Sequence, residues 1–171
     1  MRLRMGRKDT GKNFENEIRR SLKSSRFIWW FRIQDTNDIN RFIKIAVAEK
    51  QPADFFTVYR STPIMLEAKT SRNLTSFPLY YAKTPAIAKH QVKAGLDLER
   101  AGGISLILIR REEFRNKKCY AITAEQAKTL YSNKRNKKSI KWSWFEENAL
   151  SVDRLKAPLR WNLHKLYEQI I

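Results

Sequence analysis

Apolar residues recur at helical spacing near the start of the chain. Phe14, Ile18 and Leu22 stand four apart, and this spacing predicts a helix over residues 12–24. The apolar run Phe27-Ile28-Trp29-Trp30-Phe31-Arg32-Ile33 reads as a strand. Residues 34–51 are polar and then mixed, and read as an insertion. Two strands are expected at 53–59 and 64–69, joined by a short turn at Ser61-Thr62-Pro63. Thr84-Pro85 offers an N-cap followed by proline at the first helical position, so a helix should open there and close near Gly102-Gly103. The run 104–109 predicts a buried strand, and Lys118-Cys119-Tyr120-Ala121-Ile122 another after a charged loop. A further helix is expected from Thr123-Ala124-Glu125. Residues 134–141 form a basic loop, and 142–171 are aromatic-rich and irregular, a tail expected to pack on the core. Helix, strands, helix, strands, helix in this order predict an α/β domain with a mixed sheet.

The chain has 171 residues, enough for one well-packed domain, and 1–171 is read as one unit. Lys and Arg number 35 against 17 Asp and Glu, a net charge of +18. Such an excess repels itself unless a polyanion neutralises it, and nucleic acid is the first candidate. A membrane surface is the second, but no long stretch has one strongly apolar face, and the longest apolar run is far too short to cross a bilayer. Arg2, Arg4, Arg7 and Lys8 are followed by no apolar segment, so no secretory signal is read and the cytoplasm is the expected compartment. One cysteine, Cys119, and two histidines, His90 and His164, cannot build a structural zinc site or a disulfide frame. Cys119 reads as a small buried hydrophobe. No phosphate-binding glycine loop is present, so no nucleotide cofactor is expected. Activity must then run on carboxylates, lysine, hydroxyls and a hard metal.

The stretch Asp54-Phe55-Phe56 and Glu67-Ala68-Lys69 carries that chemistry. On a strand, residues two apart share a face, so Glu67 and Lys69 point together. With the turn at Ser61-Thr62, Phe56 would face Glu67 and Asp54 would lie diagonally from it, about 7 Å away at Cβ. Two carboxylates at that separation can share one Mg²⁺, which takes few carboxylates and keeps several waters; Mn²⁺ is expected to substitute. Lys69 could position a water and stabilise charge developing on phosphorus. An exposed charged strand face would carry the same residues, and spacing alone leaves the two readings level. Glu15 falls at the edge of the Phe14 stripe, about 100° from Phe14, where a carboxylate is unexpected, while Glu17 falls on the other side. A surface glutamate lying over apolar neighbours is the alternative. Gln91 lies within the stripe of Ile87, Ala94 and Leu98, with His90 at its edge.

These residues together resemble the RecU-like Holliday junction resolvases of the PD-(D/E)xK nuclease superfamily. The likeness runs through Gly11-Lys12-Asn13-Phe14-Glu15, Asp54-Phe55, Leu66-Glu67-Ala68-Lys69-Thr70, Thr75-Ser76-Phe77-Pro78-Leu79, His90-Gln91 and Gly102-Gly103-Ile104, roughly the first two-thirds of the chain. It implies a restriction-endonuclease-like core, a mixed sheet flanked by helices, with a stalk-like insertion at 34–51. It further implies a homodimer acting on four-way DNA junctions, metal bound by Asp54 and Glu67, a catalytic Lys69 and a supporting Glu15. Gln91 is counted with this catalytic set. Gln51-Pro52-Ala53 stands where the family usually has hydroxyl residues before the aspartate, and residues 134–171 are a basic loop and extension without a recognised motif.

Expected phosphate contacts are Arg2, Arg4, Arg7, Lys8 and Lys12, Arg41 and Lys44 in the insertion, and Lys134, Arg135, Lys137 and Lys138. Their alternative is a solvated charge run. Two competing readings of function are a nuclease of the same fold acting on flaps, ends or foreign duplex, and a non-catalytic basic DNA binder.

Overall fold

A computed structural model describes residues 10–33, 50–113, 117–132, 138–156 and 161–171. The expected stalk at 34–51 falls almost wholly outside them.

Helix α1 (Thr10–Ser24) buries Phe14, Ile18 and Leu22 completely, as their spacing requires. Six strands form the main sheet: β1 (Trp29–Arg32), β2 (Phe55–Tyr59), β3 (Thr62–Ser71), β7 (Ile104–Arg111), β8 (Lys118–Thr123) and β10 (Leu150–Ser151), ordered β1-β2-β3-β7-β8-β10. Only the β3–β7 pair is parallel, so the sheet is mixed. A parallel step needs a crossover, and helix α2 (Lys89–Arg100) lies in it. Two small sheets flank this frame: β4 (Ser76–Pro78) pairs with β9 (Ser139–Lys141), and β5 (Tyr80–Tyr81) with β6 (Thr84–Pro85). Helices α3 (Ala124–Ser132), α4 (Trp142–Asn148) and α5 (Leu163–Glu168) complete the described elements.

Alternation along the strands divides the core in two. Ile64, Leu66, Leu106 and Leu108 face α1 together with Trp161, Leu163, Leu166 and Tyr167. Ile107, Ile109, Tyr120 and Ile122 face the other way, against Leu79, Leu130, Trp142 and Phe145. The aromatic tail is therefore core, not an irregular covering: Trp161 and Tyr167 are buried, and Trp142 and Phe145 sit in a helix. Its residues have partners that no local pattern announces: the Trp161 backbone amide donates to Ser21 Oγ at 3.1 Å, and Tyr167 Oη lies 2.9 Å from Thr57 Oγ1.

Two expectations about boundaries are corrected. The β2–β3 turn is Arg60-Ser61, both in the left-handed region, and Tyr59 already pairs with Thr62. A two-residue turn of this kind matches strand twist and closes the hairpin more tightly than a turn at Ser61-Thr62-Pro63 would. Second, Thr84-Pro85 does not open a helix. It pairs with Tyr80 and Tyr81 as β6, and α2 begins only at Lys89, leaving Ile87 outside it. Ala88 has no side-chain oxygen to cap that helix; instead Gln91 Oε1 accepts the Ala88 amide at 3.0 Å. The C-terminal end of α2 is as expected. Gly102 adopts φ 86°, while its amide and that of Gly103 donate to the carbonyls of Glu99 and Leu98.

Candidate active site

The tight turn fixes the site. Phe55 pairs with Leu66 and Phe56 with Met65, so extending the register by one residue brings Asp54 level with Glu67. Phe56 does not face Glu67, and Asp54 is not diagonal to it. Asp54 Oδ2 accepts the Ala68 amide at 2.8 Å, so the carboxylate itself continues the pairing where β2 has ended. Glu67 and Lys69 share one face of β3, and Lys69 Nζ lies 2.7 Å from Glu67 Oε1.

Glu67 is only 5% exposed, and its Oε2 is buried with no hydrogen-bond partner. Burial raises its pKa above the ordinary carboxylate value, opposed by the Lys69 ammonium and by a hydrogen bond from Gln91, and reinforced by Glu15. Burial, and then the Glu67 charge, push Asp54 up to about 7 against the opposing Ala68 hydrogen bond, Lys69 and Arg32. A buried and a half-buried carboxylate that resist ionising together form a place where a cation is favoured. Among the described residues no group of three or more His, Cys, Asp or Glu forms a ready-made cage. The donor set fits a cation that takes few protein oxygens and keeps its waters, and the unpartnered Oε2 is the oxygen open to it.

Gln91 is held at both ends: its Oε1 takes the Ala88 amide, and its side chain also hydrogen-bonds Glu67. Glu15 approaches from α1 and is paired at 2.9 Å with Arg32, a residue that the sequence did not single out. Its signal was a charge closing an otherwise apolar strand. Asp54, Glu67, Lys69, Gln91 and Glu15 are thus brought to one end of β2 and β3. Glu17, on the other side of α1, joins a buried network instead: it bonds Arg110 and Trp161 Nε1, and the Arg110 guanidinium lies 4.6 Å from the Phe14 ring centre. Arg110 also binds Glu112 and the Thr10 carbonyl. This anchors the start of α1, and hence Glu15, to β7.

Of the expected phosphate contacts, Lys12 and Lys138 are exposed at the surface. Arg2, Arg4, Arg7, Lys8, Arg41, Lys44, Lys134, Arg135 and Lys137 lie outside the described residues. Cys119 is buried and its thiol pKa is raised by that burial, which suits a hydrophobe and not a nucleophile. No helix among the described residues is long and apolar enough to cross a membrane.

Residues 30–166 match the family described as RecU: Recombination protein U. The Holliday junction resolvase RecU of Shouchella clausii is 32% identical over 111 residues, which cover 65% of this chain and 47% of that protein. The protein of the same name from Pediococcus pentosaceus is 31% identical over 108 residues, covering 62% and 50%. The chain thus spans about half the length of these curated relatives. Among solved structures, Archaeoglobus fulgidus Hjc, a Holliday junction resolvase from an archaeal hyperthermophile, superposes with a TM-score of 0.51 at 16% identity, covering 82% of this chain and 95% of that one. This likeness shows a shared restriction-endonuclease-like fold. The family match runs to residue 166, so the tail without a recognised motif is part of the family pattern; it begins at residue 30, so Glu15 lies outside it.

Proposed function

This chain belongs to the recombination protein U family, and on that premise we propose that it is a metal-dependent endonuclease that resolves four-way (Holliday) DNA junctions by paired phosphodiester hydrolysis. The observation that carries the reading is the buried Glu67, one oxygen on Lys69 and the other unpartnered, beside Asp54.

Asp54 and Glu67 hold the divalent cation, Mg²⁺ by chemical preference with Mn²⁺ as substitute. Bound there, the cation supplies Lewis acidity toward a phosphodiester that otherwise repels its nucleophile. Lys69 keeps its ammonium beside Glu67 and presents positive charge to the phosphoryl oxygens as charge builds on them. Gln91 fixes the Glu67 carboxylate, and Glu15, steadied by Arg32, adds negative potential that favours cation capture. Arg2, Arg4, Arg7, Lys8, Lys12, Lys134, Arg135, Lys137 and Lys138 contact DNA phosphates. The insertion at 34–51, with Arg41 and Lys44, enters the open centre of the junction.

Paired nicks need two sites on one two-fold axis, and a homodimer is the simplest arrangement. The edge strand β1 supports this: Trp29 and Phe31 are 62% and 52% exposed on one face, next to Val58 and Phe56 across the ladder. In the tail Leu150 and Ile171 are exposed, but Trp142, Phe145, Trp161 and Tyr167 are buried and offer no such surface.

The test compares nicking of a synthetic four-way junction, a flap and a linear duplex with and without Mg²⁺. Paired, metal-dependent cuts on the junction are expected. Equal cutting of all three would leave a nuclease of the same fold without junction choice, and no cutting at all would leave a DNA binder.

A further inference from the structure

The geometry points to a phosphate track for one DNA arm in a groove of about 950 Å³ between the β5–β6 hairpin and helices α2 and α3, with Lys50, Lys83, Lys89 and Lys128 along its walls. This rests on the nuclease reading and adds to it the surface that carries the substrate away from the scissile bond. The groove and the carboxylate site share one turn of helix: Gln91 reaches Glu67, while its neighbours Lys89 and His90 line the groove.

All four lysines are exposed, and among the described residues the lining includes no acidic one. Lys128 has Glu125 at 3.0 Å one turn away, a pair open to solvent and weak. A concave surface of one charge sign focuses potential more strongly than the same charges on a convex face. Its wall is built to hold shape. Tyr131 Oη donates to the Leu79 carbonyl at 3.1 Å and accepts the Ile87 amide at 3.0 Å, locking the strand ends flanking the hairpin onto α3. Tyr80 packs edge-on against that ring, 5.8 Å between centres, so the two rings are engaged with each other and not offered as a stack for bases. The groove therefore meets the sugar–phosphate backbone and reads no sequence.

The experiment measures binding of the full chain to a four-way junction and to duplex of two unrelated sequences, in chelator, across a range of salt. The variant Lys50→Ala/Lys83→Ala/Lys89→Ala should lower the log–log salt slope by about 2 to 3, since each phosphate contact contributes roughly 0.9. The loss should be equal for both sequences, and Arg at the same three positions should restore the slope. The control Arg100→Ala/Lys165→Ala removes charge from the far end of α2 and from α5 and should leave the slope unchanged. A triple variant with the wild-type slope, or a control that lowers it as much per charge removed, overturns the track while leaving the nuclease reading intact. Wild-type protein that binds no DNA overturns both.

Discussion

Asp54 Oδ2 accepts the backbone amide of Ala68, the residue between Glu67 and Lys69, at 2.8 Å. One carboxylate thus serves the chemistry and the strand pairing at once, and two substitutions separate these roles. Asp54→Asn keeps an oxygen for the Ala68 amide and should lose cleavage while its metal-free stability is held or raised. Asp54→Ala should lose cleavage and also leave that part-buried amide unpaired, costing about 1–3 kcal/mol. Urea denaturation beside a nicking assay distinguishes them; normal nicking by Asp54→Asn at ordinary Mg²⁺ would remove Asp54 from the site.

The raised carboxylates predict a pH dependence with a definite sign. Asp54 titrates near 3.8 in an unfolded chain and about 7 in the metal-free fold, so between these values the folded state holds more protons. Metal-free stability should therefore be highest below this window and fall as pH rises through it, with Glu67 acting in the same direction. Denaturation in chelator at several pH values checks this. Asp54→Asn should flatten the fall, and a fall unchanged in that variant would place its source elsewhere.

Gln91→Ala removes a hydrogen bond that favours ionised Glu67 and the acceptor that caps α2 at Ala88. The expected result is a higher Mg²⁺ requirement for cleavage and a stability loss of about 1 kcal/mol. Gln91→Glu retains an acceptor for Ala88, so it should keep the cap while still disturbing Glu67. Wild-type Mg²⁺ dependence in both would show that Glu67 needs no such support.

Gly95 tests packing away from the chemistry. A Cβ there would stand 2.4 Å from Ser105 Oγ and 2.7 Å from Ala124 Cβ. Alanine would improve helix propensity by up to about 1 kcal/mol, but the crowding should outweigh it, with a net loss of about 1–2 kcal/mol. A more stable Gly95→Ala, measured by thermal unfolding, would mean that α2 can move off β7 at little cost.

Trp29→Glu/Phe31→Glu should convert a dimer to monomers in light scattering, with nicks that are no longer paired. The side chains are exposed, so the fold should survive. An unchanged assembly would move the interface to another surface.

The sequence showed which residues share a face more reliably than where each element begins. Placing the hairpin turn at Ser61-Thr62 misaligned β2 and β3 by two residues, yet Asp54, Glu67 and Lys69 were still assigned to one face, because a two-residue slip preserves strand alternation. The α1 stripe was legible because Phe14, Ile18 and Leu22 obey one local period. Thr84-Pro85 misled because a cap signal and a hairpin edge use the same residues. Arg32 with Glu15, and Arg110 with Glu17, are 17 and 93 residues apart, and no local pattern announces such pairs.

Trp161 is bonded through its indole to Glu17, 144 residues earlier in the sequence. During synthesis at roughly 5–20 residues per second, those partners leave the ribosome about 7–30 s apart. Phe14, Ile18 and Leu22 spend that interval without the aromatic layer that covers them in the finished protein. Closure of this half of the core is thus timed by translation, and the apolar face of α1 waits for its cover until the tail arrives.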